Sequence, residues 1–283
     1  MKQLLVLSVL TAVILGGCKE QPSETVVDNT ANYSVIANGT EYLTAEQVEQ
    51  FYQQPNSSGL IRLMRTESDI CFWNNGVYGP YDFDDSHITD AIFWNNGIRA
   101  NIGDHFELNA RPIKQYADGT AYTNLGGGFE APIYLGGGLN RFEFINNGLF
   151  GAFRDSLSFG SPIHITSLNR LDTVHSNQDL TLSWAGGVAV GKIKVSLTAS
   201  RLVDNYVNNG ETHGIQFYIT PNANKTITIH KEMLQQLNTT HAIGKFYDIS
   251  LTTAEPKIIT TPNNKTISVL GVSRHEVTIV LKH

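Results

Sequence analysis

The strongest constraint on the fold is a rhythm in the chain. From Leu60 to about Ser161, short runs such as LIRLM, DICFW, DAIFW, APIYL and RFEFI are interrupted every eight to twelve residues by Gly, Asn, Asp or Pro. Apolar–polar alternation of period two is the mark of a half-buried strand, and turn signals at that spacing mark antiparallel sandwiches or barrels. No strand–helix alternation accompanies them, so a parallel α/β sheet is not expected.

A second set of runs follows Pro162: DLTLSW, KIKVSLTA, GIQFYIT, KTITIH, KFYDISLTT, KTISVLG and EVTIVLK, about seven strands in roughly a hundred residues. That number and length suit an immunoglobulin-like β-sandwich, without the cysteine pair of antibody domains. The expected fold class is therefore all-β, with a β-rich domain over residues 32–162 and an immunoglobulin-like sandwich over 163–283. Two short helices are expected. One opens at the Thr-x-x-Gln capping box of Thr44 and ends before Pro55, and the other is KEMLQQL at 231–237, inside a crossover connection.

Asn-Asn-Gly occurs four times, in FWNNG at 72–76 and 93–97, FINNG at 144–148 and YVNNG at 206–210. With 24 Asn and 25 Gly in the chain, chance predicts only about 0.2 such triplets, yet the spacings of 21, 51 and 62 residues share no period. The element is local: Asn-Gly accepts the positive φ that a two-residue type I′ hairpin requires at both positions. Its register places Trp73 opposite Tyr78, Phe72 opposite Gly79, Trp94 opposite Arg99, Phe93 opposite Ala100, Ile145 opposite Phe150 and Phe144 opposite Gly151. An aromatic ring facing Gly or Ala can lie over bare backbone. The same hairpins offer a recognition surface, with Trp73, Tyr78, Trp94 and Arg99 as candidate ligand-binding residues for a glycan.

Other candidates carry less pattern. The stretch DFDDSHITD holds Asp82, Asp84 and Asp90, an oxygen-rich start for a Ca²⁺ loop that lacks the sixth-position Gly and twelfth-position Glu of an EF-hand. The alternative is a solvated acidic turn. LGGG at 125–128 and 135–138 lacks the Lys-Ser/Thr of a phosphate-binding loop, which leaves backbone bends as its expected role. No zinc-ligand spacing and no nucleophile elbow is present, so no catalytic residue is assigned, although carboxylates on distant strands leave a hydrolase open. With 20 Lys+Arg against 26 Asp+Glu and no basic run, the net charge of −6 argues against a nucleic-acid partner.

Residues 1–17 have one Lys and an apolar run from Leu4 to Leu15, too short for the roughly 20 residues that cross a bilayer and laid out as a secretory signal. Leu15-Gly16-Gly17-Cys18 then resembles the lipobox of bacterial lipoproteins. The resemblance implies cleavage before Cys18 and acylation of that residue, with palmitate-type chains holding the protein to a lipid bilayer. Residues 18–31, polar and without periodicity, read as a tether. Lys19-Glu20 resembles, with fewer acids, the surface-export signal of some Bacteroidetes lipoproteins. With Cys18 acylated, Cys71 has no intrachain disulfide partner, and strand alternation marks it as a small buried side chain. The expectation is an envelope lipoprotein at the outer membrane or cell surface ahead of the inner membrane. Its role would be non-enzymatic binding, adhesion or assembly, with a glycan or another envelope protein as partner.

Overall fold

The chain uses its long strands as a shared backplane. The computed structural model describes residues 34–37, 57–74, 77–80, 83–115, 122–124, 133–136, 138–158, 160–187, 193–200, 213–219, 223–237 and 246–282. Cys18 and the tether, the helix expected after Thr44, the first LGGG and the fourth Asn-Asn-Gly lie outside the described residues.

Strands are numbered in chain order. The largest sheet has ten strands. Its path runs β1 (Ser34–Ala37), β16 (His213–Ile219), β15 (Ile193–Ala199), β18 (Phe246–Thr260), β19 (Thr266–Lys282), β2 (Ser57–Asp69), β5 (Phe83–Asn95) and β6 (Ile98–Arg99), with β13 (Thr173–His175) joined to β19 and β9 (Tyr122–Asn124) joined to β5. A four-stranded sheet orders β11 (Phe153–Ser158), β10 (Leu139–Phe144), β7 (Phe106–Leu108) and β8 (Arg111–Pro112). A three-stranded sheet orders β12 (His164–Ile165), β14 (Leu180–Ala185) and β17 (Thr226–Ile229), and β3 (Cys71–Asn74) pairs with β4 (Val77–Pro80). Among the described residues the one helix is α1 (Lys231–Leu234), within the short helix expected at 231–237. The all-β expectation is met.

Two hydrophobic cores lie on one face of the large sheet. In the first, Leu182, Trp184, Ile227 and Ile229 of the three-stranded sheet pack against Val195, Leu197, Phe217, Ile249, Leu251, Val277 and Ile279. The connectivity, β12-β14-β17 against β16-β15-β18-β19, is that of an immunoglobulin-like sandwich, and β13 runs parallel to the last strand. In the second core, Phe106, Leu108, Phe142 and Phe144 of the four-stranded sheet meet Ile61, Leu63, Phe93, Ile259, Ile267 and Val269. Each fully buried side chain of this kind stabilises by about 1.5–3 kcal/mol.

Residues 32–283 form one compact unit, and the large sheet takes strands from both sides of residue 162. What changes near Pro162 is which layer covers the sheet. Strands β18 and β19, 15 and 17 residues long, exceed what one sandwich needs and pass from the first core into the second. The runs KTISVLG and EVTIVLK, expected as two strands, are one: the intervening Val272-Ser273-Arg274-His275 stays extended.

The Asn-Asn-Gly hairpins divide. Trp73 opposes Tyr78 and Phe72 opposes Gly79, while Trp94 opposes Arg99 with Asn96 at φ 52° and Gly97 at φ 78°. The third copy corrects the expectation. Strand β10 instead pairs Phe144 with Phe153, leaving 145–152 as a longer loop. There the buried Asn147 accepts hydrogen bonds from the amides of Leu149 (2.8 Å) and Phe150 (3.1 Å) and donates to the Ile102 carbonyl (3.4 Å). Satisfying that amide and burying Phe150 completely outweighs the tight turn.

Candidate functional site

Between the two cores, the inward face of the large sheet turns polar. Inward positions alternate along each strand, so Arg65, Glu67 and Asp69 on β2 share a face with Ser273 and His275 on β19 and His87 on β5. The register sets His275 beside Glu67, and Ser273, Arg65 and His87 in one row. His164, at the start of β12, reaches this belt from the covering layer.

The buried groups of the seam hold backbone. Ile163 N–H donates to Ser273 Oγ at 3.0 Å and Ile165 N–H donates to His275 Nδ1 at 3.2 Å, tying the chain that leads into the first core's cover. Leu135 N–H likewise donates to His87 Nδ1 at 3.2 Å, and Arg65 Nη1 donates to the Leu135 carbonyl at 3.4 Å. The Tyr134 ring tilts over His87 with centroids 4.7 Å apart. In the second LGGG, Asn140 Nδ2 donates to the carbonyls of Gly136 (3.1 Å) and Gly138 (3.3 Å).

A half-exposed cluster closes the seam. His164 Nδ1 lies 3.2 Å from Glu67 Oε2, the His164 and His275 rings are 4.2 Å apart, and His275 Nε2 is 3.7 Å from Asp69 Oδ2. Burial, and the His164 imidazole beside it, hold His275 below the usual histidine range, against the opposing pull of Glu67, Asp69 and Glu276. One ligand atom each from Glu67, His164 and His275 falls within 4.8 Å of the others, the spacing of a metal's coordination sphere. The tautomer opposes that use: with Nδ1 accepting the Ile165 amide, a neutral His275 carries its proton on Nε2 and has no lone pair there to give. A second cluster, Asp179 with His230, is a cap for α1. Asp179 Oδ1 accepts the Lys231 amide at 2.9 Å, a bond that holds its carboxyl below the usual range.

The residues singled out in the sequence are spread differently. Arg99 is exposed at the β5–β6 tip beside Ile98, while Trp94 is half-buried against Leu60, Met64, Leu270 and Val272 on the outer face of the sheet. Trp73 and Tyr78 are register partners across β3 and β4. Asp84 and Asp90 stand on one extended strand, six residues or about 20 Å apart, and Asp90 is already engaged by the Arg62 guanidinium. Asp82 lies outside the described residues.

The seam was missed because its members come from strands far apart in the chain. A signal was present: Arg65 in LIRLMRTESD and His275 in ISVLGVSRHEVTIVL sit at inward positions of otherwise apolar strands. No protein-family model matches the chain, and no curated protein matches it.

Proposed function

We propose that the protein is a lipid-anchored bacterial envelope protein whose β body binds a partner or serves in assembly, without catalysing a reaction. The observation that carries the reading is Leu15-Gly16-Gly17-Cys18 behind a short apolar run, followed by a polar tether. Several acyl chains on Cys18 would make the attachment stable where one would not. The seam chemistry favours binding over hydrolysis, because His87 and His275 spend their acceptor nitrogens on backbone amides. The surface we assign to a partner is the β5–β6 tip, where Ile98 is 75% exposed with Arg99 beside it. An exposed branched apolar residue next to a guanidinium suits a glycan or another envelope protein.

Replacing Cys18 with Ser tests the anchor. The variant is expected in the aqueous phase of a detergent partition and without acyl mass on its N-terminal peptide; partitioning like the unaltered protein would refute lipidation. Binding to glycan and peptidoglycan preparations is then compared between the unaltered chain and an Ile98→Ser, Arg99→Ala variant. Equal retention of both would remove the hairpin tip from the partner surface.

A further inference from the structure

Among the described residues, the most deeply placed cation of the seam has no counter-charge. Arg65 is 7% exposed; among the described residues its Nε has no hydrogen-bond partner, and its one polar contact is Nη1 with the Leu135 carbonyl at 3.4 Å. Among the described residues no carboxylate reaches its guanidinium, although the half-buried Arg62 is paired with Asp90, Arg274 with Glu276 and the exposed Arg154 with Glu143. The nearest acid on the same face of β2, Glu67, directs Oε2 to His164. An arginine cannot shed its charge, and an isolated buried charge is among the least favourable arrangements in a folded protein unless something neutralises it.

We propose that Arg65 anchors a binding site for a monovalent carboxylate, taken up beneath the Tyr134–Gly136 segment on the guanidinium edge that carries Nε. The planar fork of a guanidinium matches a carboxylate. One negative charge completes the site, because His87 across the sheet is neutral while it accepts the Leu135 amide; a dianion would leave an excess charge in a buried place. The seam between two apolar cores keeps water from competing with the ion pair. The Arg65 site does not depend on acylation of Cys18.

The test is thermal unfolding of the full chain at constant ionic strength, with sodium acetate, sodium glucuronate, sodium sulfate or sodium chloride, alongside an Arg65→Met variant. Acetate or glucuronate is expected to raise Tm by about 3–5 °C for each tenfold increase above its dissociation constant. Arg65→Met should lose that dependence, and without carboxylate it should unfold no lower than the unaltered protein. Glucuronate acting at a tenfold lower concentration than acetate would assign the carboxylate to an acidic sugar; acetate acting equally well would assign it to free small acids. Equal effects of all four salts, or the same carboxylate dependence in Arg65→Met, would overturn the proposal. Should the variant not fold, the Arg65 Nε–H resonance of the unaltered protein replaces it: acetate is expected to shift that signal and chloride to leave it, and no shift with acetate refutes the site.

Discussion

Replacing Gly59 with alanine should destabilise the protein, against the ordinary trend for a glycine inside a strand. Gly59 opposes Phe93 across β2 and β5, and a methyl group there would stand 2.7 Å from Phe93 Cδ1 and 3.1 Å from Cε1. Carbon atoms pack best at about 3.5–4.0 Å, so the ring would have to withdraw by close to an ångström. It has nowhere to go: Phe93 is fully buried, with the rings of Phe106, Phe144 and Phe150 at 5.7, 5.4 and 5.3 Å. Overpacking of this kind costs about 1–3 kcal/mol, where relief of glycine's backbone entropy alone would stabilise by about 0.5–1 kcal/mol. In a thermal scan that is a fall of about 2–10 °C. Urea unfolding of Gly59→Ala, Phe93→Leu and the double variant measures the coupling from midpoints at constant slope. The penalty of Gly59→Ala should shrink by about 1 kcal/mol or more in the Phe93→Leu background. A neutral or stabilising Gly59→Ala, or strict additivity in the cycle, would refute the account of the ring lying on the bare backbone.

The His275 imidazole, held below its ordinary 6.5 by burial and by His164, binds fewer protons folded than unfolded. Stability should therefore be fully present above pH 6.5 and fall as the pH drops from there through the depressed folded value, a slope that His275→Gln reduces in urea titrations between about pH 8 and about pH 5. Asn147→Ala should cost about 2–3 kcal/mol by stripping the Leu149 and Phe150 amides of their acceptor, and hydrogen exchange should show those two amides losing protection before the core strands do. Gly186 has φ 65°, and a methyl group there would lie 1.7 Å from the Pro162 carbonyl oxygen. Gly186→Ala should cost at least about 4 kcal/mol; soluble protein with an unchanged urea midpoint would contradict the close approach of the two segments.

Local chemistry was readable where a few neighbouring residues decide the outcome. Asn96-Gly97 bends the chain and sets Trp94 against Arg99 because both φ angles favour those residue types. The same triplet at 146–148 misled, because Asn147 finds a carbonyl and two amides within a larger loop and Phe150 finds the core. Phe93 was expected over Ala100, whose amide does donate to the Phe93 carbonyl. The ring itself settles against Gly59, a residue 34 positions earlier that no hairpin register can bring into view.

Period-two alternation and turn spacing determined that the chain is all-β, since burial of alternate side chains is a property each run carries in its own letters. The order of strands was a tertiary decision. β19 pairs in parallel with β2, about two hundred residues away, and only that pairing sets Arg65, His87 and His275 in one buried seam. Apolar alternation says that a strand has an inward face; it does not say which strand will lie beside it. Whether an inward arginine meets a carboxylate or waits for one depends on that neighbour.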